Sequence, residues 1–180
     1  MASAANFAYQ ACHHENFSLP VPPRTRSAPL QESPEKPSPP PLLRLEDFPI
    51  RVSDTIRFAD LDRQGHVNNA VYPTYFESGR VPRIYDPKEG FQVDGCTTVL
   101  ARIEIDFLKE LHWPGTVEIG TAIADIRRSS YVFAQAIFNE GACAARARST
   151  MVLIDRATRK ARPLPSELVE RLNQMLTKNG

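Results

Sequence analysis

Between residues 97 and 154, four runs of strand-forming residues follow one another with only short connections, and this limits the fold more than any other feature of the chain. In the run 97–108 the odd positions Val99, Ala101, Ile103, Ile105 and Phe107 are apolar, while Arg102, Glu104 and Asp106 alternate with them. That period of two marks a strand with one wet or paired face. The run 116–126 alternates Val117, Ile119 and Ile123 with smaller residues, and 142–154 closes the set. The run 131–138 is almost wholly apolar, as a central strand is. Pro114-Gly115, Arg128-Ser129-Ser130 and Asn139-Glu140-Gly141 separate successive runs, and links this short predict antiparallel hairpins joined in a meander.

A short strand is expected over 53–59 and a helix over 70–85, with Val71, Tyr72, Tyr75, Phe76 and Gly79 on one broad face. Gly79 in that stripe points to close packing against a sheet. Pro73 costs little in a first helical turn, where few N–H groups have intrahelical partners, and so sets the helix start near Asn68 or Asn69. Ser166 is expected to cap a second helix on which Leu168, Val169, Leu172, Met175 and Leu176 recur at helical spacing. The fold class is α+β: an antiparallel sheet wrapped around one long central helix, with a C-terminal helix. The sheet's outer face then needs a cover, and a second copy of the chain is the economical one.

Ahead of these elements the composition is different. The first 45 residues hold more than half of the chain's 16 prolines, crowded into Pro20 to Pro23 and Pro29 to Pro41, and their apolar residues follow no regular period. Ordering such a stretch costs more conformational entropy than its burial returns. Residues 1–48 are therefore expected to be a disordered proline-rich tail and 49–180 the folded domain. An organelle transit peptide or a proline-rich ligand are the functional alternatives; Arg24 and Arg26 favour the first, and Glu15, Glu32 and Glu35 oppose it.

A net charge of +1 gives no reason for a broad interaction with nucleic acid. No apolar run reaches the ~18–20 residues needed to span a bilayer, so no membrane partner is expected. Cys12, Cys96 and Cys143 are odd in number and lack metal-site spacing, which supports neither a disulfide framework nor a zinc site and suits a reducing, cytoplasmic setting. His13-His14 falls in the tail. His112-Trp113 precedes Pro114 at a strand end, where packing or a turn is the default. Ser129, Ser130 and Ser149 have no G-x-S-x-G elbow, which disfavours a serine hydrolase.

The stretch 58–69 is the one whose residues folding needs alone do not explain. It holds Asp60, Asp62, Gly65, His66, Asn68 and Asn69 on a strand-to-helix connection, where unpaired backbone N–H groups can meet a carbonyl or carboxylate. Read residue by residue, the acids serve equally as loop acids, Asn68 or Asn69 as an N-cap and His66 as a surface group.

Taken as a whole, Phe58-x-Asp60-x-Asp62-x-x-Gly65-His66-Val67-Asn68-Asn69-x-x-Tyr72-x-x-Tyr75-Phe76-Glu77 resembles the 4-hydroxybenzoyl-CoA thioesterase-like branch of the hotdog-fold acyl-CoA thioesterases. The order of elements matches over 50–176. The resemblance implies hydrolysis of an acyl-CoA thioester with no metal or other cofactor, in a homodimer or homotetramer whose active sites draw on both protomers. It implies Asp62 as nucleophile or general base, with Asp60 the nearby alternative. The backbone N–H of Asn69 would polarise the carbonyl. His66 and Asn68 would shape the loop against the substrate, Tyr72 and Phe76 would line the acyl channel, and Arg127, Arg128 and Ser129 would hold the CoA phosphates. Arg146 and Arg148 either extend that basic patch or form an exposed strand face. Two rivals remain: a non-catalytic acyl-CoA or lipid-binding module of the same fold, and a hotdog hydratase or dehydratase using Asp62 and His66 together.

Overall fold

The computed structural model of the chain describes residues 44–176. Five strands, β1 (Ile50–Ile56), β2 (Cys96–Phe107), β3 (Gly115–Ile126), β4 (Ser130–Asn139) and β5 (Ala142–Asp155), form one sheet in the order β1-β3-β4-β5-β2. Every pairing is antiparallel. Helix α1 (Tyr72–Ile84) lies across β1, β3 and β4, and α2 (Ser166–Asn173) follows the sheet. The α+β class and the central, mostly buried position of β4 agree with the reading of the sequence. Most of the stretch expected to be a tail, together with Cys12 and His13-His14, lies outside the described residues.

One expected hairpin is absent. The run at 97–108 does not pair with the run that follows it; β2 sits at the sheet edge beside β5, while β3 joins β1. Residues 108–114 therefore cross from one side of the sheet to the other. Alternation identifies a strand but not its neighbour. Here Gly120, Thr121, Ala122 and Ile123 of β3 are all buried and need strands on both sides, whereas from Leu100 onward β2 keeps only a half-buried face at Ile103 and Ile105. The crossover is anchored by Leu111, fully buried, whose carbonyl accepts the Val67 N–H at 2.8 Å.

Three element ends also move. The first strand is Ile50–Ile56 rather than 53–59, because Asp60 accepts the Arg57 N–H at 2.8 Å and coils Phe58–Asp60 into a 3-10 turn. Helix α1 begins at Tyr72 rather than near Asn68 or Asn69, with Pro73 in its first turn and Pro82 near its end. At α2 the N-cap is Pro165, not Ser166, and no side chain caps the helix; the Pro165 carbonyl accepts the Leu168 and Val169 N–H groups instead.

The expected stripe on α1 is buried, with Tyr75, Phe76 and Gly79 facing the sheet beside Arg80. Below it lies a buried polar chain: Gln135 Nε2 donates to the Phe76 carbonyl (2.8 Å) and to Thr121 Oγ1 (3.0 Å), and Ser149 Oγ donates to Gln135 Oε1 (3.3 Å). These bonds pin the helix to the sheet at a fixed register and leave no amide unmet. On the opposite sheet face, Phe48 packs against Phe138 and over Gly120, next to Ala122 and Ala136. Residues 45–48, which the sequence reading gives to the tail, thus belong to the folded unit and cover part of the outer face that the same reading leaves to a second copy.

Gly79 leaves no room for a side chain. A Cβ there would stand 2.4 Å from Ile119 Cγ2 and 3.0 Å from Thr121 Oγ1, both in the packed interior. Gly79→Ala should gain ~1 kcal/mol of helix propensity but lose more by overpacking, which costs ~1–3 kcal/mol. A net loss of ~1–2 kcal/mol is expected in a denaturant melt, larger for Gly79→Val; an unchanged midpoint would show that the helix can lift from the sheet freely.

Candidate active site

The stretch 58–69 folds into a tight loop between β1 and α1. Leu61 and Val67 form an antiparallel bridge, the Asp62 N–H donates to the His66 carbonyl (3.0 Å), and the Gly65 N–H donates to the Asp62 carbonyl (3.2 Å). Gly65 turns the chain with φ +86°, a region costly for any residue with a Cβ. At the tip, Asp62 Oδ1 accepts the Gln64 N–H at 2.7 Å and Oδ2 lies 3.4 Å from His66 Nδ1. His66 Nε2 is 2.8 Å from Gln64 Oε1, so the imidazole is held between the amide and the acid. The Asp62 side chain is a quarter exposed, enough to meet a ligand.

Asp60 does something different. It is buried, and its Oδ2 accepts the Tyr75 hydroxyl (2.7 Å) and the Arg57 N–H (2.8 Å), with Arg57 Nε at 3.2 Å. Burial alone would raise its pKa, but the bonds from Tyr75, the Arg57 backbone and the Arg57 guanidinium outweigh that and hold it below the ordinary value. Burial and the contact with Asp60 push the Tyr75 hydroxyl upward, so it stays a proton donor. With Oδ2 bonded to Tyr75 and Arg57, Asp60 is a lock joining the loop to α1, and Asp62 is the acid left open.

On the returning side, three of four successive N–H groups are committed. Asn68 N–H donates to the Asp60 carbonyl (2.9 Å), Ala70 N–H to Asn68 Oδ1 (2.9 Å) and Val71 N–H to the Asn68 carbonyl (2.8 Å). Among the described residues, the Asn69 N–H has no partner, and Asn69 is exposed. Asn68 thus works through its side chain as the loop's cap. Asn69 lies in the turn leading into α1, three residues ahead of the helix proper, rather than at its first residue.

The other expected site residues are placed elsewhere. Tyr72 and Phe76 are buried in the core with Val67 and Leu111 and do not line the open cleft beside Asp62. Arg127, Arg128 and Ser129 form the β3–β4 turn. β3 begins beside the end of β1, pairing Gly115 with Ile56, and runs for 12 residues before that turn. The basic turn therefore stands at the opposite end of β3 from the Asp62 loop of the same chain. Arg127 is also paired with Asp125 at 2.7 Å, as Arg146 is with Asp106 at 2.7 Å. Among the described residues no three His, Cys, Asp or Glu side chains cluster as metal ligands, and no helix is long and apolar enough to cross a membrane.

Asp62, Gly65 and Asn68 line a cleft of about 760 Å³ together with Phe58, Leu61, Arg63 and Gln64. Arg63, Gln64 and Trp113, whose ring packs on Phe58, were not among the expected site residues. An aromatic residue two positions before a buried acid on a strand-to-loop junction is the signal that marks Phe58. Nothing local marks Trp113, which is 45 residues away in the chain from its nearest cleft neighbour in sequence, Asn68.

Several known proteins resemble this chain. A family model described as the thioesterase-like superfamily matches residues 56–172. The acyl-CoA thioester hydrolase YbgC of Escherichia coli is 25% identical over 131 residues, spanning 71% of this chain and 95% of that protein. A thioesterase from Thermus thermophilus, solved with coenzyme A and Zn, is 32% identical with a TM-score of 0.62, over 72% of this chain and 96% of that one. A predicted thioesterase from Bacillus stearothermophilus is 26% identical with a TM-score of 0.64, over 73% and 98% of the two chains.

Proposed function

Since the chain belongs to the thioesterase-like superfamily, we propose that it hydrolyses the thioester of an acyl-CoA to a free carboxylic acid and CoA, with Asp62 as the reacting carboxylate. The observation that carries this reading is the pairing, on one short loop, of an accessible carboxylate with an uncommitted backbone N–H at Asn69. Acyl transfer needs those two things: a group that attacks or activates water, and a fixed donor for the oxygen that becomes negative as the carbonyl is attacked. As general base, Asp62 takes a proton from water while the new C–O bond forms. The C–S bond then breaks and the thiolate leaves. As nucleophile, Asp62 attacks the carbonyl carbon and the C–S bond breaks, so that the thiolate leaves and a mixed anhydride remains, which water opens to the carboxylic acid and the restored Asp62 carboxylate. In either course Gln64 and His66 hold the carboxylate in place, and the Asn69 N–H meets the developing oxyanion.

Arg127, Arg128 and Ser129 lie at the opposite end of β3 from the Asp62 loop of their own chain. Their proposed role in holding CoA phosphates therefore belongs to a site completed by a second copy, in a homodimer or a homotetramer. Among the described residues the outer edge of β2 has no pairing strand, and Leu100 and Phe107 are exposed along it, which supports such an assembly. Cys96 and Cys143, both free thiols, suit a reducing cytoplasmic setting.

The test is release of free thiol from a series of acyl-CoAs of increasing length, with a benzoyl member. Turnover well above the blank is expected for at least one member. Tight binding of several with no cleavage would instead make the protein a binding module, and hydration of crotonyl-CoA without thiol release would make it a hydratase.

A further inference from the structure

Phe58 and Trp113 are hard to explain by folding. Phe58 is 71% exposed and Trp113 is 49% exposed, yet their rings meet edge to face with centroids 5.5 Å apart. They come from two segments, the 3-10 turn that buries Asp60 and the crossover between β2 and β3. Leaving two large aromatic faces in water forgoes the burial that usually stabilises such residues.

Their position supplies a reason. Phe58 lines the cleft that holds Asp62, with Leu61 beside it, while Arg63 stands in the same lining and has no carboxylate partner among the described residues. The cleft thus offers two kinds of lining beside the acid, the apolar Phe58 and Leu61 and the cationic Arg63. A thioester has the same division: an acyl body on one side of the carbonyl and an anionic carrier on the other. Its volume of about 760 Å³ falls within the range of small-molecule sites.

Resting on the thioesterase reading, we infer that the Phe58–Trp113 pair is the wall that receives the acyl group, and that the preferred substrates carry an apolar acyl body, extended aliphatic or aromatic, rather than a short one. Trp113 acts by holding the Phe58 ring upright and by widening the apolar surface. Covering such a ring is worth about 10–100-fold in binding.

The experiment compares kcat/KM for decanoyl-CoA and benzoyl-CoA with that for acetyl-CoA, in the parent protein and in Phe58→Ala and Trp113→Ala, with assembly followed by sedimentation. The parent should favour at least one of the apolar substrates, and Phe58→Ala should lower that ratio by about 10–100-fold with assembly unchanged. Trp113→Ala should lower it less, and Tyr85→Ala, an exposed aromatic residue at the end of α1, should not move it. A parent that prefers acetyl-CoA, a ratio unmoved in both aromatic variants, or a fall that tracks dissociation of the assembly would overturn the inference, the last by making the pair an interface between copies. Failure of the parent to cleave any acyl-CoA would instead sink the thioesterase reading itself.

Discussion

Asp62→Asn should lower kcat for acyl-CoA hydrolysis by about 10³-fold or more, with KM and the melting midpoint little changed. General-base or nucleophilic groups contribute on the order of 10²–10⁴-fold each, and an amide can neither take the proton nor attack the carbonyl. The substitution is otherwise mild. Asn offers an oxygen to the Gln64 N–H in place of Oδ1, and the loop's backbone bonds between residues 62, 65 and 66 do not involve the side chain. Loss in kcat alone separates the reacting group from a binding group, which would raise KM instead. Single-turnover thiol release with the best acyl-CoA is the measurement, and a variant as fast as the parent removes Asp62 from the chemistry.

The second large effect is expected at Asp60, the other acid of the same loop, and it should be of another kind. Asp60→Ala strips the Tyr75 hydroxyl and the Arg57 N–H of their acceptor at a buried position. Breaking a buried, charge-assisted cluster of this sort costs about 3 kcal/mol. Activity should fall as well, because the Asp60 side chain ties the loop that carries Asp62 to α1 through the Tyr75 hydroxyl. Tyr75→Phe should reproduce a milder loss, about 1–2 kcal/mol.

Acid titration gives this prediction its sign. The Asp60 pKa in the folded state lies below the ordinary value of 3.8, so its stabilisation is fully present above that value and is lost as the pH falls through the lower, folded one. The parent protein should therefore lose stability below about pH 4 more steeply than Asp60→Asn, measured by urea midpoints across that range. Parallel curves for the two proteins would show that the carboxylate is not the lock.

The two acids show how far the sequence could be read. Their spacing and setting marked a chemical loop, and the motif favoured Asp62 over Asp60. That Asp60 is tied to Tyr75, fifteen residues on, is a tertiary fact, because a side chain's partner depends on how the helix lies over the loop. Tyr72 and Phe76 show the same limit. Their helical spacing correctly put them on the buried face, but burial against Val67 and Leu111 and lining an open cleft look alike in a one-dimensional pattern. Arg127 and Arg128 were found at a turn, as expected, yet their distance from Asp62 follows only from the direction in which β3 runs away from β1.

Local chemistry was thus determined by the sequence itself: which segments are strands and helices, the turn at Gly65, the close approach at Gly79 and the acid-bearing loop between β1 and α1. These depend on backbone torsions and on periods of two or 3.6 residues, which are properties of neighbours in the chain. The tertiary structure alone decided that β2 pairs with β5, that the crossover brings Trp113 onto Phe58, and that of the N–H groups from Asn68 to Val71 the one at Asn69 stays uncommitted. Strand order is settled by which faces must be buried together, and a free donor is defined by the partners that every other group has already taken.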